Sequence, residues 1–416
     1  MKQKRRSTAG ASPLTQVLDR LPDVPSYEPK DFLCCHGDLG QKTKVWACAF
    51  EPSIDAPGET HNILATCGGD TVCFIDVTTG ITMKRYKDTE RGESFYTMAW
   101  TSLEGDGKKV NILAVAGEGS SVKLIYPDQL VLYSVIQGHK KYISCLAFHP
   151  ASPRLLLSGS RDGHIKLWDI GTPDLKGSSN HMPLLRIKVP QHVGDPLSMV
   201  ISNETGMLVA ATECGCVGWR LPEVTKLCDA ASHNKVIERP SVSFALPLSG
   251  SSMETIDSLV ALDHGLVATK RVDSGEIVVW DLDKHIRSAG SKHEVQVKAL
   301  VRLKFPDTSV KYLNMGYCAG MLGVGDDAGK IHLYDLSTVN SSSAPTHLTW
   351  LPPSRVVDWP DVDYKDKMEV DGDDTIDSAT EPVVVVNTVA ISSDHKYIAG
   401  GTDNNLVCVW QQEGAS

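Results

Sequence analysis

No apolar run in this 416-residue sequence approaches the roughly 18 residues that a membrane-spanning helix requires. The opening MKQKRRSTAGASP carries charge without an apolar core, so it does not read as a secretory signal. Basic excess is missing too. The 41 Lys and Arg stand against 51 Asp and Glu, and the net charge of -10 argues against a broad footprint on a nucleic-acid backbone. Helical periodicity is almost absent. So are GxxxxGKS/T, GxSxG, HExxH and a strand-helix GxGxxG, which leaves phosphate-loop, hydrolase, metalloprotease and dinucleotide chemistry without support. The 11 cysteines are odd in number and sit in apolar segments such as VWACAF and NLVCVW, which suits reduced thiols better than a disulfide framework. Cys34-Cys35 and Cys214-Gly-Cys216 do not match zinc-site spacing, so no metal site and no cofactor are expected.

What is present is a repeat. Gly138 to Gly171, GHKKYISCLAFHPASPRLLLSGSRDGHIKLWDIG, has a Gly-His start, two apolar strands around an Asp-Gly turn, and a Trp-Asp end. That is one four-stranded propeller blade. Weaker copies end near Asp76, Tyr126, Trp219, Trp280, Tyr334 and Trp410. The prediction is an all-β, seven-bladed WD-repeat β-propeller over residues 31–413, with surplus length placed in loops. The segment Asp31 to His36 reads as an extra strand that completes blade seven and hides a sheet edge.

Residues 1–30 are expected to be a disordered tail, in which Lys2 to Arg6 reads either as a nuclear-import patch or as a solvated basic end. The stretch 358–378, DWPDVDYKDKMEVDGDDTIDS, lacks the register of a calcium loop and is expected to be an acidic loop insertion. His139, Ser158 or Ser160, Asp162 and Trp168 have the spacing of a hydrogen-bonded blade network. A His/Asp/Ser set also invites a catalytic reading, but the spacing repeats the fold's own signature, so we read a structural staple. No catalytic residue is assigned, and the chain is not expected to be an enzyme.

The strings VWACAFEPS, ATCGGDTVCFID, GESFYTMAWTSL, HKKYI, LWDIG, KIHLYDLS and VVVVNTVA resemble the propeller region of the origin-recognition-complex-associated family of leucine-rich repeat and WD repeat-containing proteins. The resemblance runs from about Asp31 to Gln411, while the family's leucine-rich repeats are absent. It implies a nuclear, non-catalytic scaffold that binds origin recognition complex subunits on chromatin before DNA replication. It also implies recognition of repressive trimethyl-lysine on histone tails at heterochromatin, centromeres (including kinetochores) and telomeres. Neither a membrane nor a small-molecule substrate is implied.

The strings are more distantly similar to the embryonic ectoderm development family, the methyl-lysine-reading propellers of Polycomb repressive complex 2. That likeness places Trp46 and Tyr96 on two positions of an aromatic cage; without it, both read as ordinary core or rim aromatics. A third aromatic is expected in the first strand of blade six, taken as Ala299 to Asp307. There Val301 and Arg302 stand nearest the position, Phe305 faces the core, and Arg302 would repel a cation. On this reading the cage is incomplete. The alternative is a propeller adaptor that bridges proteins without reading methyl-lysine.

Overall fold

The computed structural model describes residues 20–36, 43–105, 107–172, 181–227, 235–247, 255–290, 292–343, 350–360 and 384–415. Among these, seven sheets form, each with an antiparallel four-stranded core whose innermost strand packs beside those of its neighbours around a ring. Blade one consists of Val45–Pro52, Thr60–Gly68, Thr71–Asp76 and Ile81–Lys87. Blade five consists of Ile256–Ala261, Leu266–Arg271, Glu276–Asp281 and Val301–Lys304. The seven-bladed propeller read from the repeat is the observed fold.

Burial follows from position in the ring. The third strands Ser121–Tyr126 and Glu276–Asp281 are buried at every residue because other blades cover both faces. The outer strand Ile81–Lys87 alternates exposed and half-buried, as a strand with one covered face must. Trp219, Trp280, Trp410 and Tyr334, the aromatic ends that gave the repeat away, are among the largest fully buried side chains. They act as wedges between blades: Trp219 packs with Leu157 and Leu167 of blade three, and Trp410 with Ile331 and Leu333 of blade six.

Ring closure uses the strand Tyr27–Cys34, antiparallel to Leu406–Gln412 from Tyr27 opposite Gln412 to Cys34 opposite Leu406. It starts earlier than the sequence boundary at 31. Leu21 and Val24 are also buried, so residues 20–30 belong to the propeller rather than to a disordered tail. The rest of that tail lies outside the described residues. The acidic insertion does too, apart from Asp358, which ends the strand Arg355–Asp358, and the two residues after it.

The surplus between blades is not all loop. Lys235–Ile237 and Glu294–Gln296 add parallel fifth strands to blades three and four. The helix Leu282–Ala289 begins on the Trp-Asp end of blade five, where the Asp281 side chain caps the Lys284 N–H at 2.7 Å.

Candidate functional site

In blade three, His139 Nδ1 lies 2.9 Å from Asp162 Oδ2, and Nε2 lies 2.8 Å from Ser158 Oγ, which accepts the Trp168 indole N–H at 2.9 Å. Ser158, not Ser160, is therefore the hydroxyl of this network; Ser160 donates instead to the Lys141 carbonyl. Burial alone would raise the Asp162 carboxyl, but the bond and charge of His139, with the Lys140 N–H, hold it well below the usual carboxylate range. A depressed folded-state pKa gives stability that is present above the unfolded value near 3.9 and is lost as pH falls below it. Asp162→Asn should therefore show a flatter loss of stability below about pH 4 than the parent, measured by urea unfolding across pH. Unchanged steepness would mean that Asp162 carries none of the acid sensitivity. The indole nitrogens of Trp219, Trp280 and Trp410 have no hydrogen-bond partner among the described residues, where packing holds them.

The channel mouth is built by a repeated local device. The inner strands of six blades open with a register shift, between Val45 and Ala47, Phe95 and Thr97, Ile143 and Cys145, Pro196 and Ser198, Ile256 and Ser258, and Val386 and Thr388. The extra residue of such a bulge is re-aimed out of the ladder. Here those residues are Trp46, Tyr96, Ser144, Leu197, Asp257 and Asn387.

Four of them, Trp46, Tyr96, Ser144 and Leu197, line one cavity of about 240 Å³ together with Tyr142, Tyr312 and Asn314. The aromatic rings meet edge to face. Trp46 lies 5.8 Å from Tyr96 and 6.4 Å from Tyr312, and Tyr96 lies 5.9 Å from Tyr142, within the range of favourable aromatic pairs.

The structure thus brings Trp46 and Tyr96 together in one cavity with two further rings, and corrects the place expected for a third aromatic. Ala299 to Asp307 does not open blade six. Val301–Lys304 is the outer strand of blade five, where Arg302 donates to Glu276 at 2.9 Å, away from the cavity lining. Blade six begins its sheet at Gly316–Cys318, and its aromatic contribution comes from Tyr312 in the preceding segment.

Tyr312 is held in the left-handed region (φ 67°), which a bulky residue occupies only when its surroundings fix it. The fixing group is Asp257. Its carboxylate accepts the Tyr312 N–H at 2.8 Å and Lys270 Nζ at 2.6 and 2.8 Å, and both charged side chains are buried. Asn314 donates to the Trp46 carbonyl at 3.4 Å, tying the same segment to blade one.

Carboxylates stand near the rings. Burial, with the Glu118 carboxylate that accepts its hydroxyl at 2.9 Å, pushes the Tyr96 phenol up to about 12. Burial also pushes up Tyr312, followed by Tyr142 and the carboxylates of Glu213, Asp257 and Asp195. Tyr96 and Tyr312 therefore stay neutral beside these carboxylates. Two of the protein's own cations already use the rings: Lys44 Nζ lies 5.3 Å from the Trp46 centroid, and the Arg161 guanidinium 5.5 Å from that of Tyr142. Arg161 also lies 3.5 Å from Asp195.

Comparison with known proteins follows the same lines. The family profile described as leucine-rich repeat and WD repeat-containing protein 1, WD domain, matches residues 24–413. The protein of that name from Xenopus laevis is 32% identical over 410 residues, covering 93% of this chain and 53% of its own length. The one from Homo sapiens is 31% identical over 428 residues, covering 97% and 61%. The chain therefore spans between half and two thirds of these curated relatives. Among solved structures, a chain of the Chaetomium thermophilum polycomb repressive complex 2 superposes with a TM-score of 0.68 at 14% identity, over 94% of this chain and 98% of that one. At that identity the likeness is one of fold.

Proposed function

Because this chain belongs to the leucine-rich repeat and WD repeat-containing protein 1 family, we propose that it is a chromatin-binding scaffold whose channel mouth captures trimethyl-lysine on histone tails. In this reading it is nuclear, binds origin recognition complex subunits, and supports loading of that complex on chromatin at heterochromatin, centromeres and telomeres. The replication part rests on the sequence resemblance. The methyl-lysine part rests on one observation, the four-ring cavity of Trp46, Tyr96, Tyr142 and Tyr312. A quaternary ammonium cannot donate a hydrogen bond, so it is recognised through ring faces within about 6 Å, each worth roughly 0.5–2 kcal/mol. A Polycomb complex of similar fold was solved with trimethylated histone H3.

Titration calorimetry with histone tail peptides tests this. Trimethylated peptide should bind at least about tenfold more tightly than unmodified peptide, a difference of about 1.4 kcal/mol. Equal affinities would leave an adaptor that bridges proteins without methyl-lysine reading. Arg161 supplies a second check, because it places a like charge on a cage ring. Arg161→Gln should tighten trimethyl-lysine binding roughly two- to five-fold, whereas weaker binding would show that the guanidinium serves the ligand instead.

A further inference from the structure

Beside the ring seam, away from the cavity, three buried soft donors converge. Cys35 and His36 directly follow the closing strand Tyr27–Cys34, and Cys73 lies in the third strand of blade one. One donor atom from each of the three lies within 4.8 Å of the others, and the residues are 2%, 0% and 0% exposed. Their sequence spacing fits no zinc framework, because the two cysteines come from different blades and meet only when the ring closes. We infer that Cys35, His36 and Cys73 form a zinc-binding site that staples the closing strand to blade one.

Three observations carry this. First, tetrahedral zinc with Zn–S near 2.3 Å and Zn–N near 2.0–2.1 Å separates its donors by about 3.5–3.8 Å, so only a small contraction of the cluster is needed. Second, His36 is unfinished as a blade staple. His36 Nε2 meets Thr66 Oγ1 at 2.9 Å, as His139 meets Ser158, yet Nδ1 has no hydrogen-bond partner among the described residues. Asp70, which stands in the turn where blade three has Asp162, accepts instead from Thr71 at 2.8 Å and faces Lys87 at 3.8 Å. Third, charge balances. Binding releases one proton from each thiol to solvent, and two thiolates with a neutral imidazole and Zn²⁺ make a neutral unit, the form that burial tolerates.

The test is elemental analysis of the full chain, expressed with zinc in the medium and purified in reductant without chelator. About one zinc per chain is expected, falling below roughly a tenth in Cys35→Ser and in Cys73→Ser but retained in Cys408→Ser, a thiol equally buried outside the cluster. Should the cluster variants fail to fold, cobalt exchanged into the parent protein gives a second readout, a thiolate-to-cobalt charge-transfer band. Absence of zinc together with absence of that band overturns the inference, as does a Cys35–Cys73 disulfide found by peptide mapping in freshly purified protein.

Discussion

Replacing Trp46 with alanine is expected to weaken trimethylated histone-peptide binding roughly five- to thirty-fold, about 1–2 kcal/mol, with little change in thermal unfolding. Trp46 holds the centre of the cage: it is the ring that touches both Tyr96 and Tyr312. Its loss removes one cation–π face and also frees its two neighbours from their edge-to-face contacts. Because the side chain is a half-buried bulge residue rather than a blade wedge, the sheets keep their packing without it. Trp46→Phe keeps a ring face and should lose less than threefold. Calorimetry on the three proteins in parallel checks this. An alanine variant that binds like the parent would remove Trp46 from the site.

The second large effect is on stability. Asp257→Ala strips the partner from a Lys270 ammonium that is 1% exposed, and removing one member of a buried ion pair typically costs about 3–5 kcal/mol. That is a large share of the roughly 5–15 kcal/mol that holds a folded domain together, so denaturant unfolding should shift strongly. The double replacement Asp257→Leu with Lys270→Met removes both charges and should recover most of the loss. The double variant still lacks the acceptor for the Tyr312 N–H. It should therefore fold well yet bind trimethyl-lysine more weakly than the parent. If it binds as well as the parent, Asp257 is a structural ion-pair partner and does not position the cage.

The blades were legible because each carries its own punctuation. The Asp162-Gly163 turn and the buried ends Trp219, Trp280 and Trp410 repeat at blade spacing, and each marks local structure. Closure was legible for a related reason: an apolar strand without a blade of its own needs a partner edge, which Leu406–Gln412 provides. Two of the four rings that line the cavity, Trp46 and Tyr96, were legible as well, through the family resemblance.

The other half was hidden by tertiary geometry. Tyr142 precedes its inner strand instead of lying in it, and Tyr312 reaches the cavity from a turn fixed by a buried carboxylate 55 residues earlier. The error at Ala299 to Asp307 has a specific cause. The helix Leu282–Ala289 and the strand Glu294–Gln296 intervene after the third strand of blade five, so its outer strand falls where a next blade would begin. One signal was available in the residues themselves: the bulge residue second in each inner strand is large and aromatic in blades one and two, which marks where the channel mouth presents rings. The cluster of Cys35, His36 and Cys73 had no such signal, since its members are neighbours only across the seam.

The central claim is that the four rings recognise positive charge rather than apolar bulk. It is tested most directly with two histone peptides that differ at one atom: trimethyl-lysine, and its isostere in which carbon replaces the quaternary nitrogen. The shape is the same and only the charge is lost. Recognition through ring faces requires the charged peptide to bind at least about tenfold more tightly, roughly 1.4 kcal/mol. Equal binding of the two would contradict the account.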